Sequence, residues 1–104
     1  MQTFLNNTKI SLSMPDKVHC AHILVKTEPE AKSVLDKLNK GEKFANIAKE
    51  LSLCPSGKHG GDLGTFTRGK MVKEFETCAF TLQKGQTSAI VKTKFGYHII
   101  KRLE

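Results

Sequence analysis

The side chains best suited to chemistry in this 104-residue chain are two imidazoles and one thiol, those of His22, His98 and Cys54. Each stands beside apolar residues or in a glycine-rich turn, within the segments 22–25, 95–100 and 54–66. An imidazole gains or loses a proton near neutral pH, and a thiol becomes a nucleophile when its pKa is lowered. Because the three segments are far apart in the sequence, these groups can act together only if the fold brings them to one place.

A metal site is one alternative use of these groups, and a cysteine hydrolase is another. The potential metal ligands are His19, Cys20, His22, Cys54, His59 and His98. Zinc sites usually pair ligands that are close in sequence in each half of the motif, whereas alternation along a strand separates His19 from Cys20 and His22. A hydrolase built on Cys54 and His98 would need an oxyanion hole and a third orienting group, and the sequence shows no local signature of either. We therefore expect no metal and no other cofactor.

The composition is that of one globular domain with a modest core. The formal net charge is +7, with 17 Lys and Arg against 10 Asp and Glu. These basic residues are scattered along the chain, and there is no Trp and only one Tyr, which favours a solvated surface over a nucleic-acid interface. Weak association with nucleic acid or ribosomes through the basic surface stays open as a secondary activity.

The cysteine pattern bears on the compartment in which the chain works. Three cysteines without a closely spaced pair indicate free thiols and a reducing compartment, so we expect a cytoplasmic protein. Residues 1–13 lack the basic start and apolar run of a secretory signal, and no segment has the length of a membrane span, so no membrane partner is expected. We expect residues 1–15 to form a flexible leader without a function and residues 16–104 to form the domain.

The hydrophobic pattern predicts strands at both ends of the domain and helices between them. A strand at 18–26 carries apolar residues on both faces, which indicates a central strand. Thr27 and Glu30 form a capping box ahead of a first helix that Gly41 ends. The other predicted elements are a helix at 42–51, a shaped loop at 54–64, a short strand at 63–67, a helix from 72 that ends near 84, and strands at 90–93 and 97–103. This order predicts an α+β domain with a small antiparallel or mixed sheet.

The three segments, together with the linking stretch 69–75, resemble the parvulin family of peptidyl-prolyl cis/trans isomerases, or rotamases. The resemblance runs from about Asp16 to Arg102, and the ordered set of segments is more specific than any one of them. It implies the parvulin fold, a four-stranded antiparallel sheet surrounded by about four helices. It also implies a monomeric enzyme of protein folding, without a cofactor, that acts on X–Pro bonds in proline-containing peptides and in unfolded or nascent proteins.

The resemblance further implies roles for single residues. His22 and His98 match two family histidines that lie side by side on central strands, and Thr93 matches a hydroxyl that completes their hydrogen-bond network. We expect the histidines to orient the site rather than to act as general bases. Cys54 matches the active-site cysteine of the family, and because isomerisation breaks no bond we expect a polar contact and no covalent step. The substrate-binding positions are Leu63, Met71 and Phe75, which match the walls of the proline pocket, Phe66 as a further wall, and Phe95 at the rim.

The resemblance also bears on phosphate. Relatives directed at phosphorylated substrates carry a basic, arginine-containing insertion after the first strand, whereas here Lys26 and Thr27 lead straight into the helix, so a bidentate phosphate clamp is absent. We therefore expect a non-phosphorylated, apolar residue before proline, with Phe95 enlarging the apolar rim. The alternative of another class is a non-catalytic binding module, for proline-containing peptides or for nucleic acid or ribosomes. The presence of His22, Cys54 and His98 favours an active isomerase.

Overall fold

The computed structural model describes residues 17–104 as an α+β domain in which three α-helices and one 3-10 helix surround a single sheet. In chain order the elements are β1 (Lys17–Val25), α1 (Glu28–Asn39), α2 (Phe44–Leu51), the 3-10 helix (Pro55–His59), β2 (Asp62–Thr67), α3 (Lys73–Thr81), β3 (Val91–Thr93) and β4 (Gly96–Arg102). The leader predicted for residues 1–15 lies outside the described residues. None of the helices in the described part of the chain has both the length and the apolarity that crossing a membrane requires.

The strand β1 is central in the sheet, and the rest of the domain is arranged around it. The strand order is β2-β1-β4-β3, and all neighbouring strands are antiparallel. In the register of β1 and β4, His22 is opposite Ile100 and Leu24 is opposite His98. The two histidines are therefore diagonal neighbours on one face of the sheet, close enough for large side chains to meet. The predicted four-stranded antiparallel sheet is confirmed.

Alternation along β1 divides the apolar side chains between two cores, one on each face of the sheet. The core beneath α1 and α2 contains Ala21, Ile23, Val25, Ala31, Val34, Phe44, Ile47, Ala48 and Ile99. The core beneath α3 contains Val18, Cys20, Phe66, Phe75, Ala79, Phe80, Leu82 and Ile100. Burying a large apolar side chain contributes roughly 1.5–3 kcal/mol, so both faces of the sheet are strongly held. His22 shares its face with Cys20, which places its imidazole beside the α3 core.

The helix boundaries follow local capping. Glu30 Oε1 accepts the Thr27 N–H at 3.0 Å and Thr27 Oγ1 accepts the Glu30 N–H, so the predicted capping box is formed. The helix α2 begins at Phe44 rather than at 42, because Lys43 is extended and provides no side-chain cap. Besides α1, α2 and α3, the domain contains the 3-10 helix, which lies inside the segment 54–64 predicted as a loop.

Gly61 is the point at which the glycine-rich segment touches the central strand. Its carbonyl oxygen accepts the His22 N–H at 2.9 Å, and its φ is +85°. A Cβ at this position would overlap the His22 carbonyl oxygen and would lie 3.2 Å from the Cβ of Ala48. Only glycine fits both this backbone conformation and this space. Gly61 therefore sets how closely the segment that carries Cys54 approaches β1.

Replacing Gly61 by alanine should lower the free energy of unfolding by about 3 kcal/mol, because the new Cβ is strained and also displaces β1. Gly41→Ala is the matched control, since Gly41 has a φ of +95° but open space around it. It should cost about 1 kcal/mol, the backbone strain alone. Urea unfolding of both variants measures the difference, and equal losses would show that the close approach at Gly61 is unimportant.

Candidate active site

A pocket of about 340 Å³ lies on the α3 face of the sheet. It is lined by His22, Leu24, Leu53, Cys54, Pro55, Leu63, Met71, Val72, Phe75, Phe95 and His98. The three segments identified in the sequence therefore meet at one place. The lining is mainly apolar with a few polar groups, which is the character of a small-ligand site.

The polar wall of the pocket is a pair of buried imidazoles. The Nδ1 atoms of His22 and His98 are 3.0 Å apart, and the two rings stack with their centroids 5.1 Å apart. On the other side of the pair, His98 Nε2 lies 2.7 Å from Thr93 Oγ1. The same Thr93 oxygen accepts the Phe95 N–H at 3.1 Å. Two hydrogen bonds thus join Thr93, His98 and His22 into one chain.

We assign the direction of these hydrogen bonds by taking the Thr93 hydroxyl as the donor at one end of the chain. The Thr93 side chain is buried, and among the described residues His98 Nε2 is the acceptor available to its hydroxyl proton. When Thr93 donates, His98 carries its proton on Nδ1 and donates to His22 Nδ1. We infer that His22 is then protonated on Nε2, the one buried side-chain polar atom within residues 17–104 that has no hydrogen-bond partner. This nitrogen is buried, so a substrate oxygen reaches it only if the wall of the pocket moves.

Burial keeps both imidazoles uncharged at neutral pH. It lowers the pKa of His22 to about 4, and the neighbouring His98 acts in the same direction. Burial also lowers the pKa of His98. An uncharged pair preserves one order of donors and acceptors, whereas a proton added at Nδ1 of His22 would place two donors face to face. The pair is therefore suited to orienting a substrate near neutral pH.

Phe75 connects the imidazole pair to the α3 core. Its ring centroid is 5.4 Å from those of both His22 and His98, in edge-to-face geometry. Such contacts are favourable and fix the orientation of the rings. Phe66 packs against Phe75 with centroids 6.1 Å apart and is not among the residues that line the pocket. The structure places Phe66 behind the wall that Phe75 forms.

Cys54 is held at the pocket by hydrogen bonds to the end of β1. Ser52 Oγ accepts the N–H groups of Leu24 at 3.0 Å and of Cys54 at 3.4 Å, and the Leu24 carbonyl accepts the Leu53 N–H at 2.8 Å. The Ser56 hydroxyl donates to the Cys54 sulfur at 3.2 Å. Within residues 17–104 the hydrogen-bond partner of this thiol is a serine and not an imidazole, so the Cys–His pair of a hydrolase is not formed.

The pocket has an apolar rim that the sequence reveals only in part. Leu53 and Phe95 are each 61% exposed and both line the pocket. The lining residues not identified from the sequence are Leu24, Leu53, Pro55 and Val72. Alternation along the strand already placed Leu24 on the face of His22, so this residue could have been found. Leu53 and Val72 lie outside regular elements, where no periodicity indicates a direction.

The other potential ligands and thiols are not gathered around the pocket. Within residues 17–104, no group of three His, Cys, Asp or Glu side chains could hold a metal ion. His19 instead pairs with Asp62 at 2.6 Å, and the pKa of Asp62 is lowered by the Gly64 N–H and then by His19. Burial raises the pKa of Cys20 to about 11 and also raises that of Cys78, so these thiols are poor nucleophiles.

Comparison with known proteins finds relatives over most of the chain. The rotamase family, described as the PPIC-type PPIase domain, matches residues 19–104. The foldase protein PrsA of Geobacillus kaustophilus (strain HTA426) is 57% identical over 86 residues, which are 82% of this chain and 31% of that protein. The chain spans about a third of the length of the curated relatives that it matches.

Solved structures give the same relationship in three dimensions. The solution structure of NmPin, the parvulin of Nitrosopumilus maritimus, matches with a TM-score of 0.78 and 52% identity, covering 86% of this chain and 98% of that one. The crystal structure of PrsA from Bacillus subtilis matches with a TM-score of 0.84 and 44% identity, covering 92% of this chain and 38% of that one. The similarity thus includes a small parvulin that is covered almost completely and a longer foldase that is covered in part.

The low pKa of His22 should make the stability of the fold depend on pH. This pKa is lowered from its ordinary value of 6.5 to about 4, so between these values the unfolded chain binds more protons than the folded one. The contribution of His22 is fully present above its unfolded pKa and is lost as the pH falls. The free energy of unfolding should therefore decrease between pH 6.5 and pH 4, by up to roughly 3 kcal/mol.

Urea unfolding at several pH values measures this decrease, and His22→Gln is the control because glutamine does not gain a proton. The variant should show a shallower pH dependence, with a remaining slope from His98. An identical slope in the two proteins would contradict the low pKa of His22.

Proposed function

The chain belongs to the PPIC-type family of peptidyl-prolyl cis/trans isomerases, the parvulins, and we propose that it catalyses the isomerisation of X–Pro bonds in peptides and folding proteins. The observation that carries this proposal is the apolar pocket of about 340 Å³ whose polar wall is an uncharged, hydrogen-bonded imidazole pair. Such a pocket can enclose a proline ring while polar groups contact the amide that precedes it.

The reaction requires a site that favours the twisted amide. Rotation about this bond meets a barrier of roughly 18–20 kcal/mol, because resonance gives the C–N bond partial double-bond character. Resonance is lost and charge separation falls in the twisted state, so an apolar surrounding that excludes water favours it over the planar amide. Leu63, Met71 and Phe75 provide this surrounding. The flexible thioether of Met71 adapts to a ring that changes its orientation.

The polar groups of the pocket orient the substrate and need not react with it. His22 and His98 both line the pocket, and the hydrogen bond between them fixes the orientation of this polar wall. Cys54, on the glycine-rich segment, is a second polar group in the lining of the pocket. No bond is made or broken during rotation, so neither group has to transfer a proton or attack a carbon atom. The mechanism is therefore non-covalent.

We propose that the residue before proline is apolar and not phosphorylated. Only Lys26 and Thr27 separate β1 from α1, so the chain has no room there for a basic insertion. Arg68 and Arg102 both bond within the fold, and neither lines the pocket. The exposed apolar rim offers its surface to an apolar side chain, whose burial is favourable. A phosphate at the same position would lose hydration without gaining a bidentate partner.

We further propose a monomeric, cytoplasmic protein that acts on unfolded or nascent chains. All three cysteines are free thiols, which suits a reducing compartment. Within the described residues, the exposed large apolar side chains are Leu53 and Phe95, and both belong to the pocket rather than to a separate contact surface. Association with nucleic acid or ribosomes through the basic surface stays a prediction from the net charge of +7.

Magnetisation-exchange NMR with a leucine-proline tetrapeptide tests the activity without a coupling protease. The protein should accelerate an exchange that takes tens of seconds or more when uncatalysed. Phe75→Ala should lower kcat/KM by roughly 100-fold because it removes a wall of the pocket, and Cys54→Ala should keep at least about a tenth of it. A protein without any acceleration would overturn the proposed function.

The control for Phe75→Ala is Phe44→Ala, because both rings are buried and Phe44 belongs to the core on the other face. Phe44→Ala should lose stability but keep its kcat/KM at a temperature where it is folded. A folded Cys54→Ala variant without activity would overturn the non-covalent mechanism.

Substrate preference is measured with two peptides that differ only before proline. The leucine-proline peptide should be isomerised at least about tenfold more efficiently than its phosphoserine-proline counterpart, because the pocket offers an apolar rim and no guanidinium. A serine-proline peptide is the matched control for the phosphate. Equal or greater efficiency on the phosphorylated peptide would refute this preference.

A further inference from the structure

One wall of the pocket belongs to an irregular segment whose position must be fixed by something other than secondary structure. Met71 and Val72 line the pocket, and both lie in the connection between β2 and α3. This connection turns at Gly69, which has a φ of +89° and nothing within 4 Å of a Cβ placed there. Met71 and Val72 pack against the α3 core. The Gly69 end of the connection has open space beside it, so a polar contact is needed to hold that end.

Glu76, in the first turns of α3, bonds to both ends of this segment. Its carboxylate Oε1 accepts the Gly69 N–H at 2.5 Å, and its own backbone N–H donates to the Val72 carbonyl at 2.9 Å. The same carboxylate lies 3.8 Å from Arg68, whose guanidinium is 4.2 Å from the centroid of the Phe80 ring. The Glu76 side chain thus anchors the Gly69 end of the loop, and the first backbone hydrogen bond of α3 anchors the Val72 end. Met71 lies between these two ends.

The two side-chain contacts of Glu76 differ in expected strength. The hydrogen bond that Glu76 Oε1 accepts from the Gly69 N–H is short, and the Glu76 side chain is only 22% exposed. The ion pair with Arg68 is longer, and the Arg68 side chain is 46% exposed, so solvent weakens it. The hydrogen bond to Gly69 is therefore the contact that holds the loop.

We propose that Glu76 is a positioning residue for substrate binding, which holds Met71 as a wall of the proline pocket through its hydrogen bond to the Gly69 N–H. The proposal rests on the proposed isomerase function and adds to it a residue that does not itself touch the substrate. It predicts that the carboxylate oxygen matters as an acceptor and that its charge matters little.

The test compares Glu76→Ala with Glu76→Gln, whose amide oxygen still accepts the Gly69 N–H. Glu74→Ala is the matched control, since Glu74 lies in the same first turn of α3, carries the same charge and is exposed. The measured quantities are the dissociation constant of the leucine-proline peptide and the catalysed exchange rate at saturation. Glu76→Ala should weaken peptide binding about fivefold with the saturated rate within about twofold, because Met71 contacts the proline ring throughout the rotation.

Glu76→Gln should bind the peptide within about twofold of the unaltered protein, and Glu74→Ala should be unchanged. Glu76→Ala added to Met71→Ala should have no further effect, because the group it positions is gone. Unaltered binding in Glu76→Ala, a loss in Glu76→Gln as large as in Glu76→Ala, or a loss that adds in full to that of Met71→Ala would overturn the proposal.

Two further readouts separate this proposal from the proposed function. The Gly69 amide hydrogen should exchange with solvent faster in Glu76→Ala than in Glu74→Ala, and the Met71 methyl resonance should shift, whether or not the protein is catalytic. A protein that does not isomerise the peptide would overturn the proposed function. An unchanged Gly69 amide and Met71 methyl in Glu76→Ala would overturn the positioning role.

Discussion

The site depends on one hydrogen bond, that between the Nδ1 atoms of His22 and His98, and this bond depends on the register of β1 and β4. A slip of one residue in that pairing would move one imidazole to the opposite face of the sheet. The pairing thus controls more than the fold. It brings both imidazoles to the edge of Phe75, and it lets Thr93 set the order of donors and acceptors along the chain that ends at His22 Nε2.

The imidazole pair on β1 and β4 forms the centre of the pocket. The other walls belong to irregular segments, and each segment is held in place by its own hydrogen bonds. The segment of Cys54 is fastened to β1 through Ser52 and Gly61. The turn that carries Phe95 is fastened through Thr93, and the loop that carries Met71 through Glu76. Irregular segments can differ in sequence without disturbing the sheet. The pocket therefore combines a centre fixed by the register of the sheet with walls in irregular segments that can change separately.

The sequence was informative where a period or a cap determines structure. The central strand, the capping box of Thr27 and Glu30 and the antiparallel sheet can be predicted, and the resemblance to parvulins predicts that His22 and His98 lie side by side. Neither the pattern nor the resemblance identifies Leu53 and Val72 as lining residues of the pocket, because an irregular backbone gives no periodic indication of side-chain direction. The sequence predicts the start of α2 at residue 42, but the helix begins at Phe44, because a helix without a side-chain cap has a poorly marked beginning. The hydrogen-bonded chain of Thr93, His98 and His22 depends on contacts between distant residues, which no local pattern encodes.

During translation, β1 is synthesised well before β4, its partner in the sheet, and the two imidazoles that must meet are separated by 76 positions. Until β4 is available, β1 has no partner along that edge. Because β1 carries apolar residues on both faces, the growing chain exposes an apolar segment early. Pairing between segments so distant in the sequence slows folding and prolongs the exposure of surfaces that aggregate. The pocket needs both β1 and β4, so it forms only after the last strand of the domain has paired. A molecule therefore cannot use its own pocket to accelerate a proline-limited step in its own folding.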